Sequence, residues 1–492
     1  MPLPDLIEIV PLDQPVHAEI TVPGSKSITN RALILAALAA GKVTLQGALW
    51  SEDTQVMVDC LHRLGFAVDV QPDADEFCNR TITVQGLGGR IPNGGTVDKP
   101  LELFVGNAGT AARFLAAMVC LGAGVYRLHG VPRMYERPQA ALFAALRELG
   151  YRIDTPNDKL PAVIHGGGSA FPCRSRGDET HSQPGNTERG MRSEDQSLLT
   201  SAPTGKKRCA VSIAESSQFA SALLLSAKAG GWEVKIEGEN AEESPYVEMT
   251  KKMIKVFPHS SGTFQIEPDA SSGSYFWAAG GLLHRTLLDV ALWVAKRKLG
   301  RELRSGESLP LKEFQPTRIT VALWPTSGWQ IDADYTSIIS GGIGLPQEIS
   351  RRHDLGDSIM TAVTIAPVHT IPIRFTDLGR LRVQECERVV ALRTELTKCG
   401  AKVIEEGDTL TVYPSPLHGA EIETYNDHRM AMCFAILGLK VPGIKIKNPA
   451  CVKKTFPNFF QKLASAPPRG LGATILDPAT GRALGVDELF AA

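Results

Sequence analysis

Six times along this chain a polar or glycine-containing turn leads into a helix-length run of small apolar residues. The runs cover residues 27–40, 109–121, 217–229, 271–283, 357–366 and 427–437. A helix that is apolar all round has no face to offer water and must be covered on every side. Six such helices predict an α/β protein of duplicated units, in which sheets enclose the helices. A second recurrence agrees: LHRLGFAV (61–68), LRELGYRI (146–153) and LTKCGAKV (396–403). Each reads as a helix end, a glycine just past the cap, and a strand with alternating side chains.

At 492 residues the chain exceeds one simple core and predicts two or three domains. Apolar residues at 43% and charged residues at 21% are those of a globular protein. A net charge of −1 argues against a general nucleic-acid role, because the basic residues are local rather than a global field. No apolar run reaches the length of a membrane span, and MPLPDLIEIVPLDQP has neither a signal nor a transit pattern. The nine cysteines form no CxxC and are odd in number, so they read as reduced thiols of a cytoplasmic protein, with neither a zinc site nor a disulfide framework. Two stretches depart from the pattern. Residues 168–207 are polar and aperiodic, which predicts disorder or a long surface loop. Residues 283–318 accommodate one basic amphipathic helix (287–303) with a solvated basic face.

Cations cluster where helices are about to begin: PGSKSITNR (23–31), GNAGTAAR (106–113), RMYERP (133–138), YNDHRMAM (425–432) and KKTFP (453–457). Free backbone N–H groups, the positive helix end and a basic side chain together favour phosphate or carboxylate. Several such turns predict a substrate with more than one anionic group. Some of these residues also fit plain structural roles: Ser27 or Thr29 as a helix cap, Ser216–Gln218 as another, Asp357 as an N-cap aspartate, and His428 and Asp427 in the core.

Together with SSQFASALLLSA (216–227), DASSGSYFWAA (269–279), GDSIMTA (356–362), RVQECER (382–388) and KKTFPNFF (453–460), these strings run in one order over about 400 residues, and they resemble the 5-enolpyruvylshikimate-3-phosphate (EPSP) synthase family. The resemblance implies transfer of the enolpyruvyl group of phosphoenolpyruvate to the 5-hydroxyl of shikimate 3-phosphate with release of phosphate, by addition and elimination. No metal motif is visible, and the implied reaction needs neither metal nor organic cofactor. Family members are typically monomeric.

Carried over residue by residue, the resemblance implies shikimate 3-phosphate contacts at Lys26, Ser27, Arg31, Ser216, Ser217, Gln218, Ser244, Asp357, Arg380 and Gln384. It implies phosphoenolpyruvate contacts at Lys26, Gly109, Arg137, Gln218, Arg388, Arg429 and Lys454. Asp357 resembles the proton acceptor at the 5-hydroxyl, Glu385 the group that handles the methylene proton, and Lys26 a third catalytic group. Three positions depart from the family: Gln384 where a lysine is usual, Arg380 where asparagine is common, and Glu243 beside Ser244 where a serine is expected. Arg380 is expected to replace the cation missing at Gln384.

The implied fold is a two-domain inside-out α/β barrel, each domain built of three βαβαββ units with buried helices. Its domains would be 25–267, and 1–24 with 268–492, hinged near Gly24 and Pro268 around an active-site cleft. A related transferase acting on UDP-N-acetylglucosamine would instead show Lys-Asn at 26–27 and a loop cysteine acting as acid. A non-catalytic, ligand-binding member is the other reading that the three departures and the 283–318 stretch suggest.

Overall fold

The computed structural model describes residues 3–167, 207–238, 244–283, 316–339 and 346–491. The 168–206 stretch and the predicted helix at 287–303 lie outside the described residues. Lys207 already begins a strand, Lys207–Ser212, so the excursion ends there.

All six small-residue runs are helical: Lys26–Leu38, Gly109–Val119, Ser217–Gly230, Ala270–Leu283, Ile359–Ile365 and His428–Gly438. Every residue of Gly109–Val119 and of Ile359–Ile365 is buried, as is every residue of His428–Gly438 except Arg429. Alanine, glycine and serine let neighbouring backbones approach closely, which is why these helices fit in an interior rather than on a surface.

Among the described residues there are six sheets, and each contains one parallel strand pair. Parallel neighbours need a long crossover. In four sheets a buried helix is that crossover, as when Leu101–Phe104 leads through Gly109–Val119 to Val125–His129. In the other two sheets the partners are exchanged. His17–Ile20 pairs with Arg318–Val321, and Gly262–Gln265 pairs with Lys42–Leu49. The exchange occurs where the chain passes between two separate groups of buried apolar side chains. One group is drawn from residues 28–266, the other from 3–22 and 275–491. The two crossings lie side by side. Gly24 and Pro268 form an antiparallel bridge, Ser25 N donates to Glu267 O at 2.8 Å, and Asp269 N donates to Pro23 O at 2.8 Å.

The LxxxG recurrence has one geometry at all three places. The helices Glu52–Arg63, Ala140–Glu148 and Arg388–Lys398 each end before a glycine with φ near +90° (Gly65, Gly150, Gly400). The N–H one residue further on reaches back to the leucine five residues earlier: Phe66 to Leu61, Tyr151 to Leu146, Ala401 to Leu396. This is the doubly bonded helix end that a left-handed residue permits.

Candidate active site

A cleft between the two groups of core residues receives the first turn, or the residues just before it, of all six buried helices. Lys26 and Ser27, Gly109 and Thr110, Ser217 and Gln218, Ser271 and Ser272, Asp357, and Arg429 line it. Arg137, Arg380, Gln384, Glu385 and Lys454 complete the expected set on its walls. Arg388 stands just behind the wall, 1% exposed. Ser244 begins the helix Ser244–Val256; its side chain and Glu243 lie outside the described residues.

On the side of the first core, Gly109 opens its helix against the Arg137 guanidinium. A Cβ at this position would meet three guanidinium atoms at 2.7 Å, so glycine is needed there for close approach. Arg137 is anchored by its donation to Asn107 O at 3.1 Å, and burial lowers its pKa. Lys26 Nζ lies 3.4 Å from Asp53 Oδ2. Arg113 donates to Gln218 Oε1 at 2.5 Å and to Pro138 O at 3.1 Å, and the Gln218 amide donates to Thr110 Oγ1 at 3.2 Å. Ser216 caps its helix through the Gln218 N–H at 3.3 Å, so cap and cleft wall coincide. Arg31 is buried and braces three elements, donating to Thr250 Oγ1 (2.7 Å), Ser27 O (2.9 Å) and Ser221 Oγ (3.1 Å). Ser27 and Thr29 do not cap the first helix. Its N-cap is Ser25, and Thr29 Oγ1 instead accepts from Leu49 N at 3.1 Å.

The opposite wall carries the two carboxylates. Asp357 is not a helix cap; Ser358 holds the N-cap position of Ile359–Ile365. Guanidiniums draw the Asp357 carboxylate away from the helix: Arg429 at 3.2 Å, Arg351 at 3.3 Å and Arg388 at 3.7 Å. Burial opposes its ionisation, but Arg429, Arg388 and Arg351 outweigh that and hold its pKa well below the usual carboxylate range. Asp332 fixes the loop from beneath, accepting from Gly356 N (2.8 Å), Ser358 N (3.1 Å) and Ser358 Oγ (2.5 Å). Glu385 lies between Arg388 (2.7 Å) and Lys454 (3.1 Å). Burial again pushes its pKa up, and Lys454 and Arg388 overcome it, so this carboxyl too is held well below its ordinary value. Arg388 also grips Asp427 through Nε at 2.7 Å, while Asp427 Oδ1 caps the last buried helix by accepting from Arg429 N at 2.9 Å. His428 is fully buried beside them; burial and then Arg429 pull its pKa well down, which leaves it neutral near pH 7.

Arg380 donates to Glu215 O, across from the second core to the first. Gln384 bridges two partners: its amide N–H donates to Asp357 Oδ1 at 3.4 Å, and its oxygen accepts from Arg388. Arg351, Asp53, Tyr246 and Asp332 also line the cleft, although no sequence motif singled them out. Cys120 is buried at a helix end, its thiol donates to Ala116 O, and burial pushes its pKa up; a loop acid would need the reverse. Among the described residues no cluster of His, Cys, Asp and Glu is arranged to hold a metal ion, and no helix is long and apolar enough to cross a membrane.

The sequence profile described as EPSP synthase (3-phosphoshikimate 1-carboxyvinyltransferase) matches residues 11–176 and 254–463 of this chain. The chain belongs to the EPSP synthase family. The cleft residues Ser216, Ser217 and Gln218 fall between the two matched segments, whereas the Asp357–Lys454 wall lies wholly inside the second. Relatives named 3-phosphoshikimate 1-carboxyvinyltransferase include one from a Nostoc species, 34% identical over 93% of this chain and 98% of its own length. Another, from Opitutus terrae, is 35% identical over 94% of this chain and 98% of its own. The solved EPSP synthase of Acinetobacter baumannii shares the fold at a TM-score of 0.61 and 19% identity, covering 96% of this chain and all of that one. An enolpyruvyl transferase from Streptomyces tendae shares it at a TM-score of 0.54 and 13% identity, covering 96% and 98%.

Proposed function

We infer that this EPSP synthase family member transfers the enolpyruvyl group of phosphoenolpyruvate to the 5-hydroxyl of shikimate 3-phosphate and releases phosphate, in the shikimate route to aromatic amino acids. One observation carries the assignment of roles. Two carboxylates, Asp357 and Glu385, face one cleft, with Arg429 and Lys454 beside them on the same wall and Lys26 and Arg137 on the wall across from them. An addition–elimination needs a proton delivered to the methylene carbon and another removed from the attacking hydroxyl, on opposite sides of a small molecule, and two separately held carboxylates suit that task.

In this reading Asp357 accepts the hydroxyl proton. Glu385, with Lys454 against it, handles the methylene proton, and Lys26 contacts both substrates. Arg137, Arg429 and Lys454 hold the phosphate and carboxylate of phosphoenolpyruvate, with Gly109 giving its phosphate room. Arg388 acts from behind by orienting Glu385 and Gln384. Ser27, Ser216, Ser217, Gln218, Ser244, Arg380 and Gln384 face shikimate 3-phosphate, with Arg31 fixing the first-core wall. The incoming anions take over guanidinium hydrogen bonds that the protein carboxylates hold, which frees Asp357 and Glu385 to exchange protons.

The same reading makes the molecule an inside-out α/β barrel of two domains, 25–267 and 1–24 with 268–492, each with three βαβαββ units. The two groups of buried side chains and the paired crossings at Gly24 and Pro268 support a hinge there. It describes a cytoplasmic monomer that uses no metal or organic cofactor and engages neither nucleic acid nor membrane.

The test is phosphate release by the purified protein given phosphoenolpyruvate with and without shikimate 3-phosphate. Release that requires both is expected; a well-folded sample that binds both and releases none would favour the non-catalytic reading. Asp357→Asn should keep substrate binding and lower kcat by about 10²–10⁴-fold, the range of general acid–base catalysis. Unchanged turnover in that variant removes Asp357 from its role.

A further inference from the structure

Asp357 is held at both oxygens. Oδ2 receives Arg429 and Arg388. Oδ1 receives two donors from two different elements: Arg351 Nη2 at 3.3 Å and the Gln384 amide at 3.4 Å. A cation and a neutral amide thus converge on one atom, and the cation comes from outside the RVQECER segment.

Arg351 is well built for that place. Its guanidinium-bearing side chain is 2% exposed, and the residue lies in the cleft wall. It directly follows the strand Glu348–Ser350, and its N–H continues the sheet ladder by donating to Thr376 O at 3.1 Å. The turn that leads from it to Asp357 is closed by three bonds: Ser350 N to Asp354 Oδ2 (2.7 Å), Asp354 N to Ser350 O (3.0 Å) and Leu355 N to Ser350 O (3.2 Å). A guanidinium carried by a sheet-anchored residue is held to a small range of positions, which is what orienting another group requires. Arg380, on the other side of Gln384, is directed to Glu215 O instead. Arg388 is shared among Glu385, Asp427 and Gln384.

We propose that Arg351 is a positioning residue of the transfer reaction, whose guanidinium fixes Oδ1 of Asp357 toward the acceptor hydroxyl and supplies there the positive charge that the side chain at position 384 lacks. The proposal rests on the assignment of Asp357 as proton acceptor. Losing the guanidinium leaves Asp357 ionised beside Arg429 and Arg388, with Oδ1 held only by the long 3.4 Å contact from the Gln384 amide. The cost falls on turnover and not on phosphoenolpyruvate binding, because small misplacements of a reacting group are expensive in rate.

The experiment compares Arg351→Gln, Gln384→Lys, the double variant R351Q/Q384K and Asp357→Asn in steady-state kinetics and thermal melting. R351Q is expected to lower kcat about 10–100-fold with KM for phosphoenolpyruvate within about threefold of the parent, the pattern of an interaction made in the transition state. The double variant is expected to regain at least about tenfold of that loss, because the ammonium introduced by Q384K restores a charge-assisted donor to the same oxygen. The proposal is overturned if R351Q turns over within twofold of the parent, or if the double variant is no faster than R351Q. It is equally overturned if R351Q loses its fold and Q384K does not repair it, since the arginine is then only a structural brace. Asp357→Asn separates the two ideas. If it is inactive while R351Q is normal, only the role of Arg351 fails; if it is active, the assignment of Asp357 fails.

Discussion

At the scale of single residues the two walls of the cleft differ: Asp357 and Glu385 are ion-paired with arginine and lysine, whereas Arg137 and Arg113 donate to neutral oxygens. Gly109 gives the sharpest case. Gly109→Ala puts a methyl group 2.7 Å from the Arg137 guanidinium, and the arginine must swing away from the place where an anion would sit. The expected result is a KM for phosphoenolpyruvate raised about tenfold or more with shikimate 3-phosphate binding unchanged, read by kinetics and by titration of the second substrate. An unaltered KM removes Gly109 and Arg137 from the phosphoenolpyruvate wall. Much of the cleft lining was legible because its residues sit in turn-plus-cation strings whose spacing has a physical cause. Arg351, Asp53 and Tyr246 were not legible, since an isolated arginine, aspartate or tyrosine in a strand end or helix carries no pattern. Only the return of the chain to the cleft gives them a place. Asp357 was readable as a carboxylate near a helix start but not as a non-cap, because two of the three guanidiniums that claim it, Arg388 and Arg429, lie far away in sequence.

At the scale of elements, the three LxxxG helix ends are one device with three different surroundings, so they allow a controlled comparison. At Gly150 an added Cβ meets nothing within 4 Å, whereas at Gly65 it meets Pro92 at 2.8 Å and Asn93 at 2.9 Å. Both have φ of +91°. Gly150→Ala should therefore cost only the conformational term, about 1–2 kcal/mol. Gly65→Ala should add an overpacking cost of about 1–3 kcal/mol. Urea unfolding of the two variants reads the difference, and equal losses would mean that packing around Gly65 relaxes freely. The recurrence itself was plain in the sequence because leucine, glycine and the following strand keep fixed spacing. The six buried helices were plain because small apolar residues on every face admit no exposed arrangement. The exchange of strands between two of the sheets leaves no local mark, since the pairing spans more than 200 residues; only the family resemblance, which places 1–24 with 268–492, implied it.

At the scale of the whole molecule, the buried charges set how stability follows pH. His428 and His369 have pKa values lowered by burial. The unfolded chain therefore takes up protons that the folded one refuses, and stability should begin to fall as pH drops through about 6.5. Asp357 and Glu385 have folded values below their ordinary ones, so their contribution is present above about pH 4.5 and is lost as pH falls further toward the folded values. Chemical unfolding at a series of pH values should show two stages of decline, and His428→Gln should shrink the first while leaving the second. A single decline below pH 4.5 would mean that the histidines are already accommodated as cations. The paired crossings at Gly24 and Pro268 have a different consequence. The chain departs from one group of core residues and returns to it at a single hydrogen-bonded doorway, so the remainder has nearly the same ends to join whatever lies between. The stretch between the crossings is in effect a cassette. Its two ends are fixed beside one another by the Gly24–Pro268 bridge, so a change of length within it does not by itself displace the strands on either side.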